Sequence, residues 1–220
     1  MSFVKHAVVA AAGLGSRLGH GKPKSLVQMN GISLLEHIMS LLSGVEDVRV
    51  VVGFMEHDII TELERIRPNA IIVRNPGFRN TTTLHSYELG SRHLKGDCLY
   101  MDADLLVVPE TFESFLQECR PGEPRLAVTR SKTTDAVYTN LEGQSVISFQ
   151  REKATEFEWS NISWLPVGFF RNIGHTAVYE HLTRYLPLAV SEVVSYEIDT
   201  ADDLMEAKLH AELFRNAALS

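Results

Sequence analysis

Glycines beside cations, and carboxylates at the ends of apolar runs, carry the chemistry legible in this chain. Gly13 and Gly15 follow the apolar segment 7–12, and Arg17, Lys22 and Lys24 come directly after them. A glycine turn lets backbone amides approach an anion with no Cβ in the way, and successive amides in such a turn make a concavity that holds phosphate oxygens. Three nearby cations extend that capacity to a polyphosphate, so the pattern points to a nucleoside triphosphate. Neither common Gly-rich fingerprint is present: GxxxxGK[ST] is missing, and Gly13, Gly15 and Gly19 place the third glycine one position late for GxGxxG. A tight strand-to-helix turn among solvated cations would show the same glycine spacing. The clustering of the cations favours the anion site.

Asp102-Ala103-Asp104 ends one apolar segment, and Asp199 ends another. Alternation along an extended chain sends Asp102 and Asp104 to the same side. Carboxylates beside a polyphosphate loop form a hard, oxygen-rich site suited to Mg2+, which takes few protein ligands and completes its shell with phosphate oxygens. Singly, each Asp also suits a turn or a helix cap. Asp202 and Asp203 fit the first turn of a helix, where the dipole favours them. His20 lies near the loop and reads as a solvated loop residue.

Elements that would position these groups follow from hydrophobic periodicity. Strands are expected at 6–11, 48–52, 70–73 and 98–101. Helices are expected over 34–42, 59–66, 82–94 and 109–118, the last with Pro109 at its first turn. This βαβα alternation implies a mainly parallel sheet with helices on both faces, and ligands of such sheets bind beyond the carboxyl ends of the strands. The glycine loop, Asp104 and Asp199 all fall at such ends. The second half reads as strands at 126–129, 136–139, 146–149, 165–170 and 193–198, a mixed or antiparallel C-terminal extension. A helix from Thr200 to about Phe214 follows, with Thr200 and Asp203 spaced as a capping pair.

The 220 residues suit one domain without a linker, and 45% hydrophobic with 22% charged residues is ordinary for a globular chain. A net charge of −7 argues against a nucleic-acid-coating surface. Nothing approaches the ~20 apolar residues that span a membrane, and no signal-peptide layout is present. Cys98 and Cys119 have no metal spacing and no disulfide framework, as expected of a cytoplasmic protein.

The run Ala-Ala-Gly-Leu-Gly-Ser-Arg-Leu-Gly, then Lys-Pro-Lys-Ser-Leu-Val, Met-Asp-Ala-Asp and Glu-Ile-Asp-Thr-Ala-Asp-Asp-Leu, resembles the nucleotidyltransferase superfamily. Within it, the chain is similar to small cytidylyltransferases that activate phosphocholine or 2-aminoethylphosphonate. The resemblance implies a Rossmann-like α/β fold of the nucleotide-diphospho-sugar transferase type. It further implies a single domain with three roles along the chain. Residues 1–125 would bind the nucleotide, residues 126–190 would form an acceptor-binding elaboration, and residues 191–220 would supply a metal-binding strand and the C-terminal helix. The implied reaction is attack of an acceptor phosphate or phosphonate oxygen on the α-phosphorus of an NTP, with pyrophosphate leaving. The acceptor is already ionised, so no general base is required.

By the same resemblance, Ala10, Ala11, Ala12, Gly13, Gly15 and Ser16 wrap the nucleotide, Arg17 neutralises the departing pyrophosphate and Lys24 meets the α-phosphate. Asp104 and Asp199 match the Mg2+ ligands, with Asp102 beside them. Segment 75–86 resembles the family's Asn-rich stretch next to the nucleotide and brings in Asn80, Thr82 and Ser86; Phe78 stands for its Tyr, and Thr82-Thr83 for its Asn pair. For the acceptor, Trp159, Trp164 and Tyr138 are candidate walls around a quaternary ammonium, held by cation–π attraction of ~1–2 kcal/mol per ring. Phosphoethanolamine is a further candidate acceptor, and a homodimer stays open. The bridge Gly19-His20-Gly21 is shorter than in sugar-phosphate members. A sugar-phosphate or molybdopterin nucleotidyltransferase, a glycosyltransferase using Asp102-Ala103-Asp104, and a non-catalytic nucleotide sensor remain alternatives.

Overall fold

In the computed structural model, the described residues are 3–15, 21–132 and 135–218, with side chains described as far as Phe214. The first half alternates as its periodicity requires. Strand β1 (His6–Ala11) leads to a 3-10 turn at Lys24–Leu26 and a small ribbon, β2 (Gln28–Met29) and β3 (Ile32–Ser33). Then come α1 (Leu34–Leu41), β4 (Asp47–Val52), α2 (Glu56–Ile66), β5 (Ile71–Arg74), α3 (Thr83–Gly90), β6 (Asp97–Asp102), β7 (Leu105–Val107) and α4 (Pro109–Glu118). Helix α1 starts where Ser33 Oγ accepts the Glu36 amide at 3.0 Å, and Pro109 opens α4.

The second half adds β8 (Arg125–Arg130), β9 (Tyr138–Glu142), β10 (Ser145–Gln150), β11 (Phe157–Pro166), α5 (Val178–Leu182), β12 (Leu188–Glu192), β13 (Ser195–Glu197) and α6 (Ala201–Leu209). In the main sheet the order is β5-β4-β1-β6-β11-β8-β12-β10-β9. The first four strands are parallel; β11 runs antiparallel to both β6 and β8, and β9 and β10 form an antiparallel hairpin. The expected parallel sheet with a mixed extension is thus one continuous sheet.

Both faces of the parallel region are covered, as buried parallel strands require. Period-2 alternation divides the core: Val9, Leu99 and Met101 meet α1, α2 and α4, whereas Val8 and Tyr100 meet Leu84, Tyr87 and Phe170. A third cluster, with Met29, Leu34, Leu106, Ile198 and Phe214, fastens the C-terminal segment beneath the β7–β13 ribbon.

Three expectations are corrected. The strand expected at 165–170 is the end of β11, and Val167–Phe170 is a 3-10 turn. The strand expected at 193–198 is only the three-residue β13, and β12 before it was not expected: the Val193 amide still bonds Val128 O in the main sheet, while Val194 O already accepts from Val108. Helix 82–94 stops at Gly90, and His93 beyond it has φ +67°.

Candidate active site

Strand β1 lies between β4 and β6, with Ala10 opposite Asp102. The Ala103 amide donates to Ala10 O at 3.0 Å, which extends the ladder and sets Asp104 just past the sheet edge. From the other side the Ile198 amide donates to Asp104 O at 2.9 Å, so β13 delivers Glu197 and Asp199 to the same place. Gly15 has φ +61°, and a Cβ there would stand 3.1 Å from Lys24 Cγ. Glycine therefore lets the loop close over the lysine.

These elements bound a cleft of about 480 Å3. Its lining brings together the expected residues Ala10, Ala11, Ala12, Gly13, Gly15, Lys24, Thr82, Ser86, Asp102, Asp104 and Asp199. Arg17, Ser16 and His20 lie outside the described residues. Asn80 is exposed at the end of the Gly77–Asn80 turn and does not line the cleft. Its place is taken by Asn75, whose Nδ2 donates to Thr81 Oγ1 at 3.0 Å and whose Oδ1 accepts the Gly77 amide, which pins the whole segment.

Lys24 Nζ bonds Asp199 and stands 3.5 Å from Asp104 Oδ2. Oxygens of Asp104, Glu197 and Asp199 all lie within 4.8 Å of one another. Burial alone would lower the Lys24 ammonium; Asp104 and Asp199 outweigh it, and the net shift is upward. Burial pushes Asp102 up to about 8, Asp104 pushes the same way, and the Tyr87 hydroxyl, donating to Asp102 Oδ1 at 2.7 Å, opposes them. Burial also raises Asp104 against the pull of Lys24, and raises Glu197 well above its usual range with Asp104 and Asp199 adding to it. Buried carboxylates at this density call for positive charge. Asp104 Oδ1 is buried with no hydrogen-bond partner among the described residues. A hard divalent cation with oxygen ligands fits this donor set.

Glu197 was not anticipated from the sequence, although Glu197 and Asp199 show the same i, i+2 spacing as Asp102 and Asp104.

A second cavity of about 210 Å3 adjoins the first, sharing Thr82, Thr83, Asp102, Glu197 and Asp199. Its farther wall holds Asp135, Arg151, Glu158, Trp159, Asn161 and Tyr179. Trp164 does not belong there: it is buried on the opposite face, donating from Nε1 to Arg120 O at 2.9 Å. Trp159 packs instead in the core cluster on the other face of the sheet. Tyr138 is also buried outside the lining, where its neighbours Ala136 and Val137 take part instead.

The glycine turn, Lys24 and the carboxylate cluster thus meet at the carboxyl edge of the sheet, and the chain as a whole is a nucleotidyltransferase domain. The chain belongs to the MobA-like NTP transferase domain family, whose model matches residues 7–202. A CMP-5'-(3-aminopropyl)phosphonate synthase from Streptomyces rubellomurinus is 31% identical over 150 residues, covering 61% of this chain and 24% of that protein. The chain thus matches only about a quarter of that relative's length. Among solved structures, the inositol-1-phosphate CTP transferase from T. maritima superposes with a TM-score of 0.84 at 18% identity, over 99% of this chain and 97% of that one. The CTP:phosphocholine cytidylyltransferase from Streptococcus pneumoniae gives 0.77 at 21% identity, over 93% and 98%. At these identities the two structures establish the fold. No helix among the described residues is long and apolar enough to cross a membrane.

Proposed function

We propose that this chain transfers a nucleoside monophosphate, CMP in the first instance, from an NTP to a small acceptor that carries a phosphate or phosphonate and a charged amine. Pyrophosphate is the second product. The observation that carries the reading is the meeting of the two cavities at Asp102, Glu197 and Asp199. The cleft with the glycine loop and Lys24 suits the triphosphate. The adjoining cavity suits the acceptor: Glu158, Trp159 and Tyr179 favour an amine, and Arg151, the one cation among its described lining residues and paired with Asp135, favours the phosphate or phosphonate end.

An acceptor oxygen that is already ionised needs no general base, so the protein's work is to bring two anions together and stabilise the charge that builds on the leaving group. Lys24 would meet the α-phosphate. Asp104, Glu197 and Asp199 would hold Mg2+, which offsets charge on the α-phosphate and on pyrophosphate when bound. Cytidine is favoured because the relative is named for CMP and both structural neighbours for CTP. The buried free thiols Cys98 and Cys119 accord with a cytoplasmic setting.

The test is pyrophosphate release for four NTPs against phosphocholine, phosphoethanolamine, 2-aminoethylphosphonate and several sugar 1-phosphates, with Mg2+. Release with CTP and an amine-bearing acceptor is expected. A preference for sugar 1-phosphates would overturn the acceptor assignment, and no release with any pair would overturn the transferase reading.

A further inference from the structure

Strand β11 is interrupted where it passes the carboxylate cluster. Trp159 pairs with Val128 and Ser163 with Leu126, so four steps along β11 match two along β8. The excess forms a bulge, and bulges commonly re-aim a side chain at the cost of ladder hydrogen bonds. Asn161 sits in it with φ +55°, a left-handed conformation that asparagine adopts more readily than other residues bearing a side chain. Its Nδ2 donates to Glu197 Oε2 at 3.0 Å.

We propose that Asn161 is a positioning residue for the carboxylate cluster, using the bulge to carry its amide to Glu197 and hold that carboxylate toward Asp104 and Asp199. This rests on the reading of those three residues as the divalent-cation site. The need for such a residue is electrostatic. Oxygens of Glu197, Asp104 and Asp199 lie within 4.8 Å of one another, and carboxylates that close repel, so an unrestrained Glu197 side chain would turn away from the other two. A neutral donor at one oxygen holds the orientation without adding charge, and the cluster uses one oxygen from each member. Groups behind metal-binding side chains fix their orientation in this way, and their removal typically weakens metal binding by about 10–100-fold. Asn161 also lines the second cavity, so it joins the cation site to the space beside it.

The experiment is a Mn2+ titration of the full chain followed by electron paramagnetic resonance, with no nucleotide or acceptor. Asn161→Gly keeps the left-handed backbone accessible and deletes the amide. The expected result is a Mn2+ affinity about tenfold or more below wild type, with Tm lowered by no more than about 4 °C. In a Glu197→Gln background the same substitution should cause no further loss, because its route runs through Glu197. Unchanged Mn2+ affinity in Asn161→Gly, losses that add in the double variant, or a Gly variant that does not fold would each overturn the positioning role. Wild type that binds no Mn2+ would instead overturn the cation site itself.

Discussion

His37 provides a pH-dependent test of how the C-terminal segment is fastened beneath the β7–β13 ribbon. It is 1% exposed, its Nε2 lies 3.1 Å from the Val107 amide and 2.9 Å from Val107 O, and its ring meets Phe214 edge-on at 6.0 Å. Burial lowers it from 6.5 to about 4, with the Val107 bond opposing. Between these values the unfolded chain binds a proton that the folded chain refuses, so stability rises with pH across that window. It is fully present above about 6.5 and is lost on acidification toward 4. At 1.36 kcal/mol per pH unit, the loss from pH 7.5 to 5 is about 2 kcal/mol. His37→Gln retains a hydrogen-bonding group but cannot titrate. Its own cost, about 1 kcal/mol for the altered bond, is independent of pH. Urea unfolding of both proteins at pH 7.5, 6 and 5 isolates the effect, because other titrating groups cancel in the difference. Wild type should lose about 2 kcal/mol more than the variant between pH 7.5 and 5. Equal pH dependence would refute the assignment of His37 as a histidine held neutral by burial.

Asp104→Ala should lower the rate of pyrophosphate release by about 100-fold or more, the scale for losing one strong electrostatic element of a site; near-normal turnover would remove Asp104 from the chemistry. Trp159 and Trp164 both pack in the core, so each Trp→Ala should cost about 3–5 kcal/mol in denaturant unfolding; only Trp159→Ala should also raise the acceptor KM while leaving that of the NTP alone. At Gly53 a Cβ would stand 2.7 Å from Phe78 Cβ and 3.0 Å from Ala12 O. Gly53→Ala must therefore displace the wall of the proposed nucleotide cleft, and NTP affinity measured by calorimetry should fall about tenfold, in line with the ~1–3 kcal/mol of overpacking.

Where one local signal dominates, the sequence already marks the element. Strand β1 and helix α4 occupy His6–Ala11 and Pro109–Glu118 as expected, the first from an unbroken apolar run, the second from Pro109 ahead of a helical apolar face. Strand β11 escapes such reading because the bulge breaks its period. Its Glu-Phe-Glu-Trp-Ser start also looks solvated, yet Glu158 is buried with its carboxylate 3.3 Å from the Lys132 amide. The β12–β13 division depends on Val194 leaving one sheet for another, a tertiary choice that no local pattern records.

The same distinction holds within the site. Lys24, Asp104 and Asp199 are legible because each follows a recognisable strand or loop. Asn161 is not, since its contact with Glu197 joins residues 36 positions apart through a bulge. What unites the legible and the illegible residues is charge. Asp102, Asp104, Glu197 and Asp199 face one cleft, and among the described residues Lys24 is the cation bonded within it. Both proposed substrates are anions, and Lys24 and Arg79 are the cations among the described residues that line this cleft beside those carboxylates, so added positive charge would favour substrate binding. The same carboxylate cluster would hold the proposed Mg2+, so the nucleotide would be best received together with the cation.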